Sequence, residues 1–167
     1  MTVSADPMLK LRSLEQIIDD CRRWREEGLT IVVVNGAFDL LHVGHLRYLA
    51  DAARLGDRLI AAVNTDHSVQ ISKGPLRPVI PEAERVEILT YLVPIDAIVL
   101  FDSETVAPIL EALKPDVHAK GTDYSVSTVP EREVVERNGG RTVICGDPKD
   151  HATTDVVDTI LERFGPA

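Results

Sequence analysis

The feature that most constrains this chain is an alternation. Short continuous runs of apolar, often β-branched residues recur, and each is followed by a stretch whose apolar residues fall at helical spacing. The first run is Ile31-Val32-Val33-Val34; the others lie at 58–63, 97–101, 116–120 and 141–145. A run that is apolar at every position suits a strand buried on both faces, as in a parallel sheet. Between the runs, Leu46, Leu49, Ala50 and Ala53 share one helix face, as do Val86, Leu89 and Leu92 behind Pro81. A short helix at 106–113 tolerates Pro108 in its first turn, Pro130 opens another that Gly139 and Gly140 end, and a last one runs over 154–164. This order implies βαβ units: an α/β, Rossmann-like, doubly wound sheet of five parallel strands with helices on both faces. Leu14, Ile17, Ile18, Cys21 and Trp24 add an N-terminal amphipathic helix, started by a Ser13/Gln16 capping box and stopped by Gly28.

At 167 residues the chain predicts one domain, taken as 8–167, behind a disordered start at 1–7. The net charge of -9 argues against non-specific binding to nucleic acid or to an anionic membrane, while leaving room for a local basic pocket. No stretch approaches the ~20 apolar residues of a membrane span, and the N-terminus has no apolar leader segment. The two cysteines, Cys21 and Cys145, are far apart and form no CxxC pair, so they read as small buried hydrophobes in a reducing cytoplasm.

In an open α/β sheet, ligands bind beyond the C-terminal strand ends, where the strand order reverses. The loops at 35–45, 64–80, 102–105, 120–129 and 146–153 are therefore where chemistry is sought. The first is the most informative. Asn35-Gly36-Ala37-Phe38-Asp39 leaves the strand and His42-Val43-Gly44-His45 enters the helix. Glycine lets backbone approach a phosphate, and a helix N-terminus offers free N–H groups and a positive dipole end. Two histidines there add donors. Three readings are open: phosphate binding, a metal site with Asp39 as third ligand, and two unrelated histidines.

Gly36-Ala37-Phe38-Asp39 followed by His42-Val43-Gly44-His45 resembles the motif of the cytidylyltransferase-like nucleotidyltransferase superfamily. In that superfamily the HxGH segment binds the triphosphate and stabilises the transition state at the α-phosphorus. The resemblance extends through Leu55-Gly56-Asp57-Arg58, Val63-Asn64-Thr65-Asp66, Lys73-Gly74, Arg77-Pro78, Glu84-Arg85, Lys114-Pro115-Asp116 and Lys120-Gly121-Thr122-Asp123-Tyr124. It is strongest toward the adenylyltransferase domain of bacterial ADP-heptose synthases, in the stand-alone form, since no kinase domain precedes it in these residues.

The resemblance implies transfer of AMP from ATP to a sugar 1-phosphate, D-glycero-β-D-manno-heptose 1-phosphate above all, with Mg2+ bound mainly through the nucleotide phosphates. It makes His42, His45, Lys73 and Arg85 catalytic, with Lys73 in the loop after the second strand and Arg85 completing a clamp on the triphosphate. Asn35, Gly36, Ala37, Phe38, Gly44, Lys120, Gly121, Asp123, Thr153 and Thr154 are the nucleotide-binding set. Asp39 and Arg77 are candidates for the acceptor, although Asp39 also reads as a loop-orienting residue or an aid to magnesium. Thr153 doubles as a helix cap. The chain departs from the superfamily pattern at Ala152, where a serine is usual, and at Ala37. His67 and His118 belong to no motif and read as structural. A homodimer is the implied assembly.

Two rivals stand beside this expectation. One is a cytidylyltransferase acting on glycerol 3-phosphate or phosphoethanolamine; the other is a nucleotide-binding module without catalysis. A class I aminoacyl-tRNA synthetase shares a loop of this kind but is excluded by the chain's length and acidity.

Overall fold

The computed structural model describes residues 7–148 and 152–165. The disordered start expected at 1–7 lies outside the described residues except for Pro7, which opens a 3-10 turn at Pro7–Lys10.

The strands are β1 (Leu11–Arg12), β2 (Ile31–Gly36), β3 (Arg58–Asn64), β4 (Ala97–Phe101), β5 (Val117–Lys120) and β6 (Arg141–Ile144). The helices are α1 (Leu14–Glu26), α2 (Val43–Ala53), α3 (Asp66–Lys73), α4 (Glu82–Thr90), α5 (Ala107–Leu113), α6 (Arg132–Arg137) and α7 (Thr153–Phe164). All pairings are parallel, and the order across the sheet is β1-β4-β3-β2-β5-β6. The sheet has six strands, not the five expected. The extra one, β1, is a two-residue edge strand on β4, too short to carry a periodic pattern. Two further boundaries differ. Asn35 and Gly36 belong to β2 rather than to the loop, and the segment after β3 contains a helix, α3, where a loop was expected.

The β2 run explains the architecture. Ile31 and Val33 pack into a core with Ile17, Cys21 and Trp24 of α1, Ile109, Leu110 and Leu113 of α5, and Val135 of α6. Val32 and Val34 pack into a second core with Leu49 and Ala52 of α2 and Val86 and Leu89 of α4. Consecutive strand residues point to opposite faces, so a strand with a core on each side is apolar throughout.

Register is pinned at the opposite end of the sheet from the ligand-binding edge. Asp57 accepts from the Thr30 N–H at 2.8 Å, Asp96 from Leu59 at 2.8 Å, and Asp116 from Ile31 at 2.7 Å. Each aspartate immediately precedes a strand and caps the start of its neighbour. Gly56 is required beside them, since a Cβ there would meet Val32 Cγ2 at 2.7 Å and the Thr30 carbonyl at 2.8 Å. The reversal of strand order falls at β2, with β3 on one side and β5 on the other, and the C-terminal ends of these strands face one cavity.

Candidate functional site

A cavity of about 830 Å³ opens over the C-terminal edge of β2, β3, β4 and β5. It spans both faces of the sheet. Phe38 of the core containing α2 lines it, and so do Phe101 and Val106 of the core containing α1, α5 and α6.

On the α2 side, β2 delivers the chain into a tight loop in which Phe38 (φ 52°) and Leu40 (φ 46°) are both left-handed. That conformation is unfavourable for residues with large side chains and persists only where the surroundings hold it. Asp39, between them, is the clasp. Its carboxylate accepts from the Val79 N–H at 2.9 Å, the Ile80 N–H at 3.0 Å and Arg77 Nη1 at 3.1 Å. Burial pushes the Asp39 carboxyl up, but these three donors outweigh it and hold the group below its ordinary value. The Asp39 carbonyl also accepts from the Thr153 hydroxyl at 2.9 Å, tying the start of α7 to the loop. Asp39 is therefore a loop-orienting residue, and Arg77 is its partner.

His42 is the N-cap of α2 and His45 lies in its first turn. Their rings stack, tilted, with centroids 4.0 Å apart. The His42 backbone N–H donates to His45 Nδ1 at 3.4 Å. Burial, then the charge of His42 and of Lys73, pulls His45 down to about 4. A neutral imidazole that accepts at Nδ1 carries its proton on Nε2. His45 is thus a neutral N–H donor beside free helix-end N–H groups. Lys73, close enough to act on it electrostatically, is the last residue of α3 and not a loop residue.

At the sheet edge, Asn35 Oδ1 accepts from His118 at 3.0 Å and from Lys120 Nζ at 3.3 Å. With its oxygen so engaged, the Asn35 amide presents its NH2 as a donor. Burial, followed by the Lys120 charge, lowers His118 to about 3, so its ring is neutral. Lys120 is itself buried, which lowers its ammonium, while Glu131 and Asp123 act the other way. Its Nζ lies 4.5 Å from the centre of the Tyr124 ring.

The cavity brings together every site residue nominated from the sequence except Arg85. The Arg85 side chain has no exposed surface. Nε donates to Ile80 O at 2.9 Å, Nη1 to Ala37 O, and Nη2 to Asn64 O at 2.9 Å and Asp66 Oδ1 at 2.7 Å. Its fork is spent on backbone carbonyls and one carboxylate, so it shapes the loops behind the cavity and does not reach into it. Thr153 is the first residue of α7, not its cap. The N-cap is Ala152, whose N–H donates to Asp155 at 2.8 Å. Cys145 is only half-buried and lines the cavity; burial holds its thiol up at about 11. Gly146, with φ at 92°, packs against Tyr48, where a Cβ would lie 3.3 Å from Cα. Sequence reasoning missed Glu104, Tyr124 and Glu131 as lining residues. Tyr124 ends the Lys120–Tyr124 segment of the resemblance without having been given a role, while Glu104 and Glu131 sit in no motif, and only the fold carries those two to this edge.

Among the described residues no group of three or more His, Cys, Asp and Glu is arranged to hold a metal ion. The metal reading of His42, His45 and Asp39 accordingly lacks its ligand set, because Asp39 is engaged by three donors.

The Cytidylyltransferase-like family model matches residues 33–160, from β2 into α7. This chain belongs to the cytidylyltransferase-like family of nucleotidyltransferases. Within the family it is similar to the bifunctional protein HldE of Syntrophotalea carbinolica, 43% identical over 155 residues that cover 93% of this chain and 32% of that protein. The HldE of Alcanivorax borkumensis is 45% identical over 139 residues, 83% of this chain and 29% of the relative. The chain spans about a third of the length of these curated relatives. Among solved structures, the lipopolysaccharide core biosynthesis protein of Thermoplasma volcanium superposes with a TM-score of 0.63 at 26% identity, covering 73% of this chain and all of that one. No helix among the described residues is long and apolar enough to cross a membrane.

Proposed function

We propose that this cytidylyltransferase-like chain transfers AMP from ATP to a sugar 1-phosphate, D-glycero-β-D-manno-heptose 1-phosphate by preference, giving an ADP-sugar and pyrophosphate. The observation that carries the reading is the stacked His42–His45 pair at the N-terminus of α2, with His45 held neutral, facing a cavity edged by Lys73. Such an end attracts a polyphosphate through N–H groups and a dipole, and the carboxylates beside it are paired with cations, Asp39 with Arg77 and Asp147 with Arg47.

In the proposed reaction a phosphate oxygen of the sugar 1-phosphate forms a bond to the α-phosphorus as the bond from that phosphorus to the β-phosphate bridging oxygen breaks. The electron pair leaves with pyrophosphate. The protein's work is positioning and charge stabilisation. His45 Nε2–H and the α2 N–H groups donate to oxygens that gain charge, and Lys73 stabilises the departing phosphates. The Thr153 hydroxyl holds Asp39 O and so keeps α7 beside the triphosphate. Mg2+ belongs to the proposal as a cation that would enter with the nucleotide and would supply charge neutralisation at its phosphates, beside Lys73 and the α2 N–H groups.

A homodimer and a cytoplasmic setting complete the proposal. In support, α7 buries none of its residues and exposes Ile160, Leu161 and Phe164, and Cys21 and Cys145 are free thiols. Sedimentation velocity tests the dimer. The activity is tested with a matrix of ATP, CTP, GTP and UTP against sugar 1-phosphates, glycerol 3-phosphate and phosphoethanolamine, read by pyrophosphate release. Turnover confined to ATP with a sugar 1-phosphate is expected. Turnover with CTP and glycerol 3-phosphate instead overturns the assignment, and nucleotide binding with no turnover on any acceptor points to a binding module.

A further inference from the structure

Glu131 precedes α6 and is only 7% exposed, yet it lines the cavity. Its Oε2 is buried and has no hydrogen-bond partner among the described residues. A buried acceptor without a donor is costly, on the scale of the hydrogen bond it lacks, and such groups in native proteins call for an explanation. The same cavity is lined by Phe101 and Val106, which belong to the core that α5 and α6 share, by Tyr124 beside Lys120, and by Glu104 as a second carboxylate just before α5.

The two sides of the cavity thus have opposite character. The α2 side offers donors and a helix N-terminus; the α5–α6 side offers carboxylates and apolar surface. A triphosphate is repelled by the second and attracted by the first. What fits beside Glu131 is a neutral, hydroxyl-bearing body: its O–H groups donate to the carboxylate and its C–H face covers Tyr124 and Val106. Lys120, at the sheet edge between the sides and within electrostatic reach of Glu131, suits the anionic end of the same molecule.

Resting on the activity proposed above, we infer that Glu131 accepts a hydrogen bond from a hydroxyl of the acceptor sugar and that the α5–α6 side of the cavity is the acceptor subsite. A site built around such a bond discriminates strongly against analogues that lack the hydroxyl, because its buried acceptor is then left unpaired.

The test is steady-state pyrophosphate release by the full chain, with ATP and the heptose 1-phosphate varied in turn. Glu131→Gln is expected to raise KM for the sugar phosphate at least ~10-fold while KM for ATP stays within about twofold. Tyr124→Leu, at a position 39% exposed, keeps the fold and raises the same KM severalfold. On the unmodified chain, one monodeoxy analogue of the sugar phosphate reproduces the Glu131→Gln loss, and the same analogue costs Glu131→Gln nothing more. If Glu131→Gln fails to fold, Tyr124→Leu and the deoxy series decide. Acceptor KM values unmoved in an active enzyme, or a KM for ATP that rises in step, overturn this inference alone. Absence of turnover by the unmodified chain with any sugar 1-phosphate overturns the proposed function itself, and this subsite with it.

Discussion

His45 owes its chemistry to where it sits. Burial and two neighbouring charges hold it neutral, and the His42 N–H fixes the proton on Nε2. Replacing either His42 or His45 by alanine is expected to cut kcat for pyrophosphate release by ~10²–10³, the usual loss for one charge-stabilising donor. The unfolding free energy should move by no more than about 1 kcal/mol, as urea titration would show. The same burial makes stability depend on pH. The folded-state pKa of His45, about 4, and of His118, about 3, lie below the ordinary value of 6.5. The unfolded chain therefore takes up protons first as pH falls. Stability is fully present above pH ~6.5 and is lost toward pH 4 for His45 and toward pH 3 for His118, at up to about 1.4 kcal/mol per pH unit for each histidine. Urea unfolding at pH 7 and pH 5 reads this directly; equal stabilities would contradict the neutral assignments. Because His45 is neutral well below pH 6.5, kcat/KM is expected to show no acid limb between pH 6 and 8 from this residue.

At the scale of elements, Arg85 is instructive. It joins α4 to the ends of β2 and β3 through Ala37 O, Asn64 O and Asp66. Arg85→Ala leaves those acceptors without donors and is expected to cost ~3 kcal/mol in urea unfolding, the converse of the histidine variants. Arg85→Lys should rescue little, since a single ammonium cannot meet a forked set of acceptors. A variant that folds as well as the parent and only loses turnover would return Arg85 to the catalytic set. The sequence marked Arg85 as a cation near an active edge and could not show its burial, which depends on carbonyls far along the chain. The central strands were legible because residues such as Val32 and Val33 serve opposite cores, leaving no polar position to blur the run. The α2 loop was legible because its glycine and histidines act locally. The strand β1 was not, since two residues hold no period, and α3 was hidden in a segment whose Ser68 and Val69 alone are buried. Glu131 was illegible for a different reason: it comes within electrostatic reach of Lys120 only after the chain has looped through Ser125 and Val129.

Across the whole molecule, the cavity draws on segments from Asn35 to Thr154, so ligand binding would tie together parts far apart along the chain. The least anchored is α7, which buries no residue and holds to the β2–α2 loop through Thr153. ATP at 100 times its Kd is expected to stabilise the fold by about 2.7 kcal/mol, seen as a raised melting temperature, and to slow amide hydrogen exchange at the start of α7 more than in β2. Exchange in α7 unchanged by ATP would separate that helix from the nucleotide site. The Asp39 clasp has a consequence for how such enzymes diversify. One carboxylate, by gripping Arg77, Val79 and Ile80, makes two segments forty residues apart a single mechanical part. Exchanging either segment between relatives without the other breaks the grip, so the unit that recombination or protein engineering has to move is the pair.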